Sequence, residues 1–140
     1  MDAFVLDASV AVSWCFPADP SEDTPYTRRI LSMLATHDAL VPEVWPFEIA
    51  NSLFVSFSKR KRITEEQIKE YLARLTALPI RVEPGDLWSN VRLESRARRR
   101  NLPAYDAAYL DLCLRKHLPL ATTDDDLKKV ALAEGIEVLR

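Results

Sequence analysis

The chain has very little glycine, with only Gly85 and Gly135 among its 140 residues. Neither follows the first apolar segment, so the sequence has no glycine-rich loop that could cradle a nucleotide phosphate. Cysteine is also scarce, with Cys15 and Cys113 alone, and the two histidines lie far apart in sequence. These numbers exclude a disulfide framework and argue against a zinc site. We therefore expect a cytoplasmic chain with reduced, buried thiols.

Long apolar runs are missing as well, and no basic segment precedes the apolar start of the chain. We therefore expect neither a transmembrane helix nor a secretion signal. The formal net charge of −2 does not indicate a nucleic-acid binder. The charges are unevenly distributed, however, because residues 58–118 carry fourteen basic and eight acidic residues, whereas residues 1–57 carry two and eight. This basic centre indicates either an anionic partner or a set of solvated helix faces.

Short apolar segments alternate with helical patterns along the whole chain, and hairpin turns are missing. This alternation is typical of a parallel sheet covered by helices on both faces. We predict one α/β domain over residues 1–140, with a five-stranded parallel sheet. The predicted strands are residues 4–6, 40–42, 80–82, 118–122 and 138–139.

Helical periodicity is clearest in the segment from about residue 44 to residue 59. Apolar residues recur there at helical spacing and are expected to face the core. They are Ala50, Leu53, Phe54 and Phe57. Another helix is predicted from Pro84 to Arg100, and a further one from Ala104 to about Lys116.

Four acidic residues lie at positions that favour a role in metal binding or catalysis over a role as solvent-exposed surface charges. Asp7 and Asp124 follow the first and fourth predicted strands, and functional groups of parallel sheets gather outside such carboxyl ends. Glu48 and Asp106 lie early in helices, on otherwise apolar faces, where a carboxylate is costly unless it is paired or binds a metal. Four neighbouring carboxylates favour a hard cation such as Mg²⁺ or Mn²⁺. Such an ion can activate water and neutralise charge in phosphoryl transfer.

Each acid also has an ordinary structural interpretation. Asp7 could cap the helix that follows the first strand, and the two helical acids could pair with buried arginines. Asp125 and Asp126 suit the first turn of a helix, where the dipole favours acids. Asp126 could also complete a capping box with Thr123, the predicted cap of that helix.

Four segments of the sequence together resemble a PIN domain, and specifically the VapC-like toxins of toxin–antitoxin pairs. They occur in the order and at the spacing usual in that family, and the resemblance covers essentially the whole chain. The segments are residues 5–10, 47–51, 102–110 and 120–124. The resemblance implies a five-stranded parallel α/β fold and a Mg²⁺- or Mn²⁺-dependent endoribonuclease that acts on single-stranded RNA.

The resemblance also implies roles for individual residues. Asp7 and Asp106 would bind the metal directly, whereas Glu48 and Asp124 would hold waters or a second metal. Together these four would be the catalytic quartet. Polar positions around the acids would be Ser9, Asn51 and Thr122. The run of three aspartates departs from the family pattern and leaves Asp126 as a possible additional acid.

The implied reaction is hydrolysis of an RNA phosphodiester by water, with the 3′ oxygen as the leaving group. Two basic clusters could hold the RNA backbone through charge, although cations at helix C-termini are also favourable in themselves. The clusters are Lys59, Arg60, Lys61 and Arg62, and Arg96, Arg98, Arg99 and Arg100.

The partners that the resemblance implies are RNA, a second copy of the chain in a homodimer, and a VapB-like antitoxin that covers the acidic site. One alternative is a non-catalytic PIN-like module that binds RNA or protein. A closer rival is DNA cleavage by the same quartet. A response-regulator receiver fits poorly because Val82 and Glu83 follow the third strand, where a phosphorylatable aspartate is needed. A haloacid-dehalogenase-type phosphatase fits poorly because Ser9 stands where a second aspartate is needed.

Overall fold

The computed structural model describes residues 2–140. Within them the chain forms one parallel sheet, in the order β3-β2-β1-β4, with helices packed around it. The strands are β1 Ala3–Leu6, β2 Asp38–Val41, β3 Ile80–Val82 and β4 Leu120–Ala121. The α-helices are α1 Ala8–Ser13, α2 Pro25–Met33, α3 Trp45–Phe54, α4 Glu65–Thr76, α5 Leu87–Val91, α6 Leu93–Arg100, α7 Ala104–Lys116 and α8 Asp125–Ala133. None of the helices in residues 2–140 is long and apolar enough to cross a membrane.

The central strands are buried because their sequences are apolar on both faces. Phe4, Val5 and Leu6 of β1 are almost entirely inaccessible to solvent, and so are both residues of β4. Val5 pairs with Leu40 of β2 on one side and with Leu120 of β4 on the other. The carboxyl end of β1 therefore lies between the carboxyl ends of its two neighbours, deep enough for a polar group placed there to be partly shielded from water.

The predicted fifth strand is wrong. Val138 makes a single parallel bridge to Leu120. The two hydrogen bonds of this bridge join Leu120 N to Glu137 O and Leu139 N to Leu120 O, both at 2.9 Å. Since β4 is only two residues long, the neighbouring segment finds one pairing position on it, and the sheet in residues 2–140 has four strands.

The helix predicted over residues 44–59 is α3 followed by a π-helical turn, Val55–Lys59. Its buried stripe runs through Trp45, Ile49 and Leu53, which are spaced four residues apart. Ala50 and Phe54 each come one residue after a member of that stripe, and in the π-helical turn the buried residue is Ser56, so that Phe57 turns outward. Only Leu53 of the four predicted core residues is therefore buried. The other three are exposed: Ala50, Phe54 and Phe57.

Candidate active site

Asp7 is a buried carboxylate at the end of β1. Its Oδ2 accepts hydrogen bonds from the hydroxyls of Ser9, at 2.7 Å, and Thr122, at 2.6 Å. Burial raises the pKa of Asp7, and the two hydroxyl hydrogen bonds oppose that rise. Although Asp7 occupies the N-cap position of α1, its side chain makes no capping hydrogen bond within residues 2–140. Its side chain is instead held between the hydroxyl of Ser9 in α1 and that of Thr122 after β4.

The same two hydroxyls connect Asp7 to the loop after β4. Thr122 Oγ1 accepts a hydrogen bond from the backbone N–H of Asp124 at 3.0 Å. Ser9 Oγ accepts one from the N–H of Thr123 at 3.3 Å. Two of the three predicted polar positions around the acids, Ser9 and Thr122, thus contact Asp7 and hold the adjoining loop against it.

Asp124 is the N-cap of α8. Its Oδ1 accepts hydrogen bonds from the N–H groups of Asp126, at 2.9 Å, and Leu127, at 3.1 Å. The prediction that Thr123 caps this helix is therefore wrong, and so is the capping box that pairs Thr123 with Asp126. The physical reason is that the hydrogen bond from the Asp124 N–H to Thr122 extends the loop by one residue before the helix begins.

Asp106 lies in the first turn of α7 and is half-buried. Burial is the largest cause that raises its pKa, followed by the negative charges of Asp124, Asp7, Glu48 and Asp126, to about 6. The predicted quartet and Asp126 are thus close enough for their charges to act on Asp106. None of the quartet forms an ion pair with a residue in 2–140. The interpretation that Glu48 and Asp106 pair with buried arginines is therefore wrong.

Glu48 is held by a tyrosine that the sequence analysis did not single out. Its Oε1 accepts a hydrogen bond of 2.6 Å from the hydroxyl of Tyr109. Burial raises the pKa of Glu48, the Tyr109 hydrogen bond lowers it, and the charge of Asp7 raises it again. Tyr109 follows Asp106 by three residues, a spacing that puts both on one face of α7 and could have revealed it.

A second tyrosine supports the loop after β4 and also escaped the sequence analysis. The hydroxyl of Tyr26 accepts a hydrogen bond of 3.2 Å from the backbone N–H of Thr122. Tyr26 belongs to α2 and lies 96 residues away in sequence. No local pattern points to a contact of that range.

A model of the PIN domain family matches residues 4–133. The chain belongs to the PIN domain family. PIN domains are typically metal-dependent nucleases. The PIN domain predicted from the sequence is confirmed, whereas its narrower assignment to the VapC-like toxins stays a prediction. A crystal structure of PAE2754 from Pyrobaculum aerophilum is similar to this PIN domain, with a TM-score of 0.63 and 20% identity over 89% of this chain and 82% of that chain. That likeness supports the fold, and a search of curated proteins finds no match.

The acids of this PIN domain suit a cation that keeps most of its waters. No group of three or more histidine, cysteine, aspartate or glutamate side chains in residues 2–140 converges closely enough to enclose a metal ion. Mg²⁺ does not require such a cage, because proteins usually bind it through one or two carboxylates, with water and substrate phosphate completing the shell. The donors at this site are hard carboxylate oxygens, which Mg²⁺ and Mn²⁺ prefer. The residues present therefore fit the ion that the family implies.

The remaining predicted polar position, Asn51, lies on α3 three residues after Glu48 and is exposed.

One residue of the basic cluster after α3 forms ion pairs in the described part of the chain, and the other three do not. Arg62 pairs with Asp19 at 2.8 Å and with Glu22 at 3.7 Å, and its guanidinium lies 4.0 Å from the centre of the Phe16 ring. The other three members form no ion pair within residues 2–140: Lys59, Arg60 and Lys61.

Most residues of the basic cluster at the end of α6 form ion pairs with acidic residues of the same chain. Arg96 and Arg100 reach Glu134 at 2.6 Å and 3.7 Å, and Glu134 is mostly buried. Arg98 pairs with Glu94 one turn earlier at 2.8 Å. Arg99 is exposed and forms no ion pair in the described part of the chain. Half of the eight predicted RNA-binding cations therefore have an acidic partner within residues 2–140, and half do not.

Proposed function

We propose that this PIN domain is a Mg²⁺- or Mn²⁺-dependent endoribonuclease that acts as the toxin of a VapBC-type toxin–antitoxin pair in the cytoplasm. One observation carries the proposal. Hydrogen bonds through Thr122 and Tyr109 connect the segments that carry the four acids at the carboxyl edge of the sheet, and none of the four has a basic partner within residues 2–140. Uncompensated, partly buried negative charge is unfavourable by itself, and a divalent cation would remove the cost.

In this proposal Asp7 and Asp106 hold the metal, and Glu48 and Asp124 face its waters or a second ion. When bound, the ion activates water and neutralises charge that develops on the phosphate. Thr122 and Ser9 keep one oxygen of Asp7 engaged, so that the carboxylate is oriented before the ion arrives. Attack of water in line on phosphorus expels the 3′ oxygen and leaves a 5′-phosphate and a 3′-hydroxyl.

The RNA backbone would be held by the cations that the fold leaves without acidic partners. Among the eight predicted RNA-binding cations, these are Lys59, Arg60, Lys61 and Arg99. The exposed pair between Arg98 and Glu94 is worth little, so Arg98 can exchange its partner for a phosphate at small cost. The remaining three predicted cations would stabilise the fold through their ion pairs and would add little to RNA binding: Arg62, Arg96 and Arg100.

The partners we propose are a second copy of the chain and a VapB-like antitoxin. Phe47 and Tyr105 immediately precede Glu48 and Asp106 in sequence, and they are 75% and 61% exposed. Large apolar side chains exposed beside a charged site favour a protein partner that covers both. A basic side chain of the antitoxin, such as arginine, would neutralise the acids and so block the metal.

The test is cleavage of a panel of structured and single-stranded RNAs and of matched DNA, with Mg²⁺, Mn²⁺ or EDTA. Asp106→Asn is the test variant. Asp111→Asn is its matched control, because Asp111 lies on the same helix but pairs with Arg115 at 2.7 Å. We expect metal-dependent RNA cleavage by the wild type and by Asp111→Asn, none by Asp106→Asn, and 5′-phosphate ends on the products.

Other outcomes separate the alternatives. Equal cleavage by both variants would indicate a contaminating nuclease. Metal-dependent cleavage of DNA but not RNA would make the protein a deoxyribonuclease. Binding of RNA or of a protein partner without any cleavage, unchanged by Asp106→Asn, would favour the non-catalytic module.

A further inference from the structure

We propose that Tyr109 is a positioning residue that holds the Glu48 carboxylate in place beside Asp7 for the metal and its waters. The inference rests on the proposed function, since it concerns the same acidic site. It assigns the orientation of Glu48 to one buried hydroxyl on α7.

The two hydrogen bonds of Tyr109 determine the direction of its single hydroxyl proton. The backbone N–H of Ala8 donates to the hydroxyl oxygen at 3.2 Å. A backbone N–H can only donate, so the oxygen acts as acceptor there. Its own proton is thereby left for Glu48 Oε1, at 2.6 Å. The contact is a hydroxyl that donates to a carboxylate, which is stronger than a bond between neutral groups.

The position of the hydroxyl is set by the core. The side chain of Tyr109 is fully buried, whereas Glu48 is only half-buried and its side chain has more rotatable bonds. A ring packed on all sides cannot follow a mobile partner, so the carboxylate must adapt to the hydroxyl. This is the arrangement that a site needs when a flexible side chain has to be held in one orientation.

The same hydroxyl connects three of the four segments that carry the acids. Ala8 follows Asp7, Tyr109 lies one turn after Asp106, and Glu48 belongs to α3. Tyr109 therefore couples the start of α1 to α3 through α7, and it occupies Oε1 of Glu48. Oε2 accepts no hydrogen bond within residues 2–140. Neighbours that orient ligands in this way typically change metal affinity or activity by 10- to 100-fold when they are removed.

The test compares two conservative substitutions of buried tyrosines. Tyr109→Phe removes the hydroxyl from Glu48 and keeps the ring. Tyr71→Phe is the matched control, because Tyr71 is also buried and donates a 2.6 Å hydrogen bond, but to the backbone oxygen of Ala11. Tyr109→Phe loses the hydrogen bonds to Ala8 and Glu48, whereas Tyr71→Phe loses only the one to Ala11. Both variants are expected to fold, with the larger fall in melting temperature for Tyr109→Phe. The main readout is Mn²⁺ affinity in the absence of RNA, from electron paramagnetic resonance of the free ion.

We expect Tyr109→Phe to weaken Mn²⁺ binding by about tenfold, and Tyr71→Phe to bind Mn²⁺ as the wild type does. Equal Mn²⁺ affinity in the two variants would overturn the inference while leaving the proposed function intact. A wild type that neither binds Mn²⁺ nor cleaves RNA would overturn both.

A double-mutant cycle with Glu48 supplies the second check and does not depend on absolute stability. If Tyr109 acts through Glu48, Tyr109→Phe added to Glu48→Gln should cause no further loss of Mn²⁺ affinity, because the two effects are then not additive. An additional tenfold loss in the double variant would show that Tyr109 acts by another route and would reject the positioning role.

Discussion

The acidic edge of the sheet and the basic helix ends differ in whether their charged side chains have partners of opposite charge. Asp106 lies near other acids and forms no ion pair within residues 2–140. Arg96 and Arg62, by contrast, contact Glu134 and Asp19 at 2.6 Å and 2.8 Å. An unpaired, partly buried charge is unfavourable in itself, and removal of one partner from a buried pair creates such a charge. The comparison teaches that the arginines here serve mainly the protein itself, and that the acids suit a cation from outside.

The largest effect is expected from Asp7. Asp7→Asn keeps the shape of the side chain but removes the charge that we assign to the metal. We expect RNA cleavage to fall by more than about 100-fold, which exceeds the usual effect of residues that only support a ligand. Single-turnover cleavage rates at saturating Mg²⁺ measure it. Asp38→Asn is the control, because Asp38 is at the surface and pairs with Arg81 at 2.8 Å; a similar loss in that variant would contradict the assignment.

The second-largest effect is a gain, and it concerns the free energy of unfolding of the protein without bound metal. The pKa of Asp106 is raised to about 6, so the unfolded state loses its proton at a lower pH than the folded state does. Its contribution to stability is full below about pH 4 and is lost as the pH rises through 6. Asp106→Asn should therefore raise the free energy of unfolding in EDTA at pH 8 by about 1 kcal/mol, after a discount for solvent screening.

Urea denaturation at pH 4 and at pH 8, in EDTA and in excess Mg²⁺, measures this effect. The gain in the free energy of unfolding from Asp106→Asn should be small at pH 4. Mg²⁺ should stabilise the wild type more than this variant. Asp111→Asn should show no gain, since Asp111 has a basic partner. A stability difference between Asp106→Asn and the wild type that does not change with pH would remove the electrostatic explanation.

Substitution of Glu134 tests the basic region, where the charges have partners. Glu134→Ala leaves Arg96 and Arg100 without their acidic partner at a partly buried site. We expect a loss of about 1 kcal/mol in the free energy of unfolding, within the range usual for single substitutions. RNA affinity should not fall, because the released arginines can turn toward phosphate. Fluorescence anisotropy with a labelled RNA checks affinity, and unchanged stability would show that the ion pair contributes nothing.

The smallest effect is expected from Arg99. Arg99→Ala should change stability by no more than about 0.5 kcal/mol, as surface substitutions usually do. It should weaken RNA binding uniformly and reduce the slope of log affinity against log salt by about 1, as the loss of one phosphate contact does. Anisotropy titrations at several salt concentrations measure the slope. A slope equal to that of the wild type would place the RNA away from the end of α6.

Local signals in the sequence predicted much of the secondary structure. The helix predicted from Ala104 to about Lys116 is α7, and the helix predicted from about residue 44 begins as α3 at Trp45. Such signals succeed because they involve residues three or four apart, whose geometry the helix itself determines. The cap of α8 was predicted one residue early because its position depends on Thr122, which is held in turn by Asp7.

The sequence by itself determined the parallel α/β architecture and the PIN family, because periodicity and the order of short motifs are local properties. It also predicted the four acids, whose roles as ligands stay a prediction. Only the tertiary structure decided that the sheet has four strands in the described residues, that Tyr109 reaches Glu48, and that the arginines are largely paired. The reason is that these contacts join residues that are 18 to 61 positions apart. Their geometry depends on how whole elements pack, which no spacing within one element records.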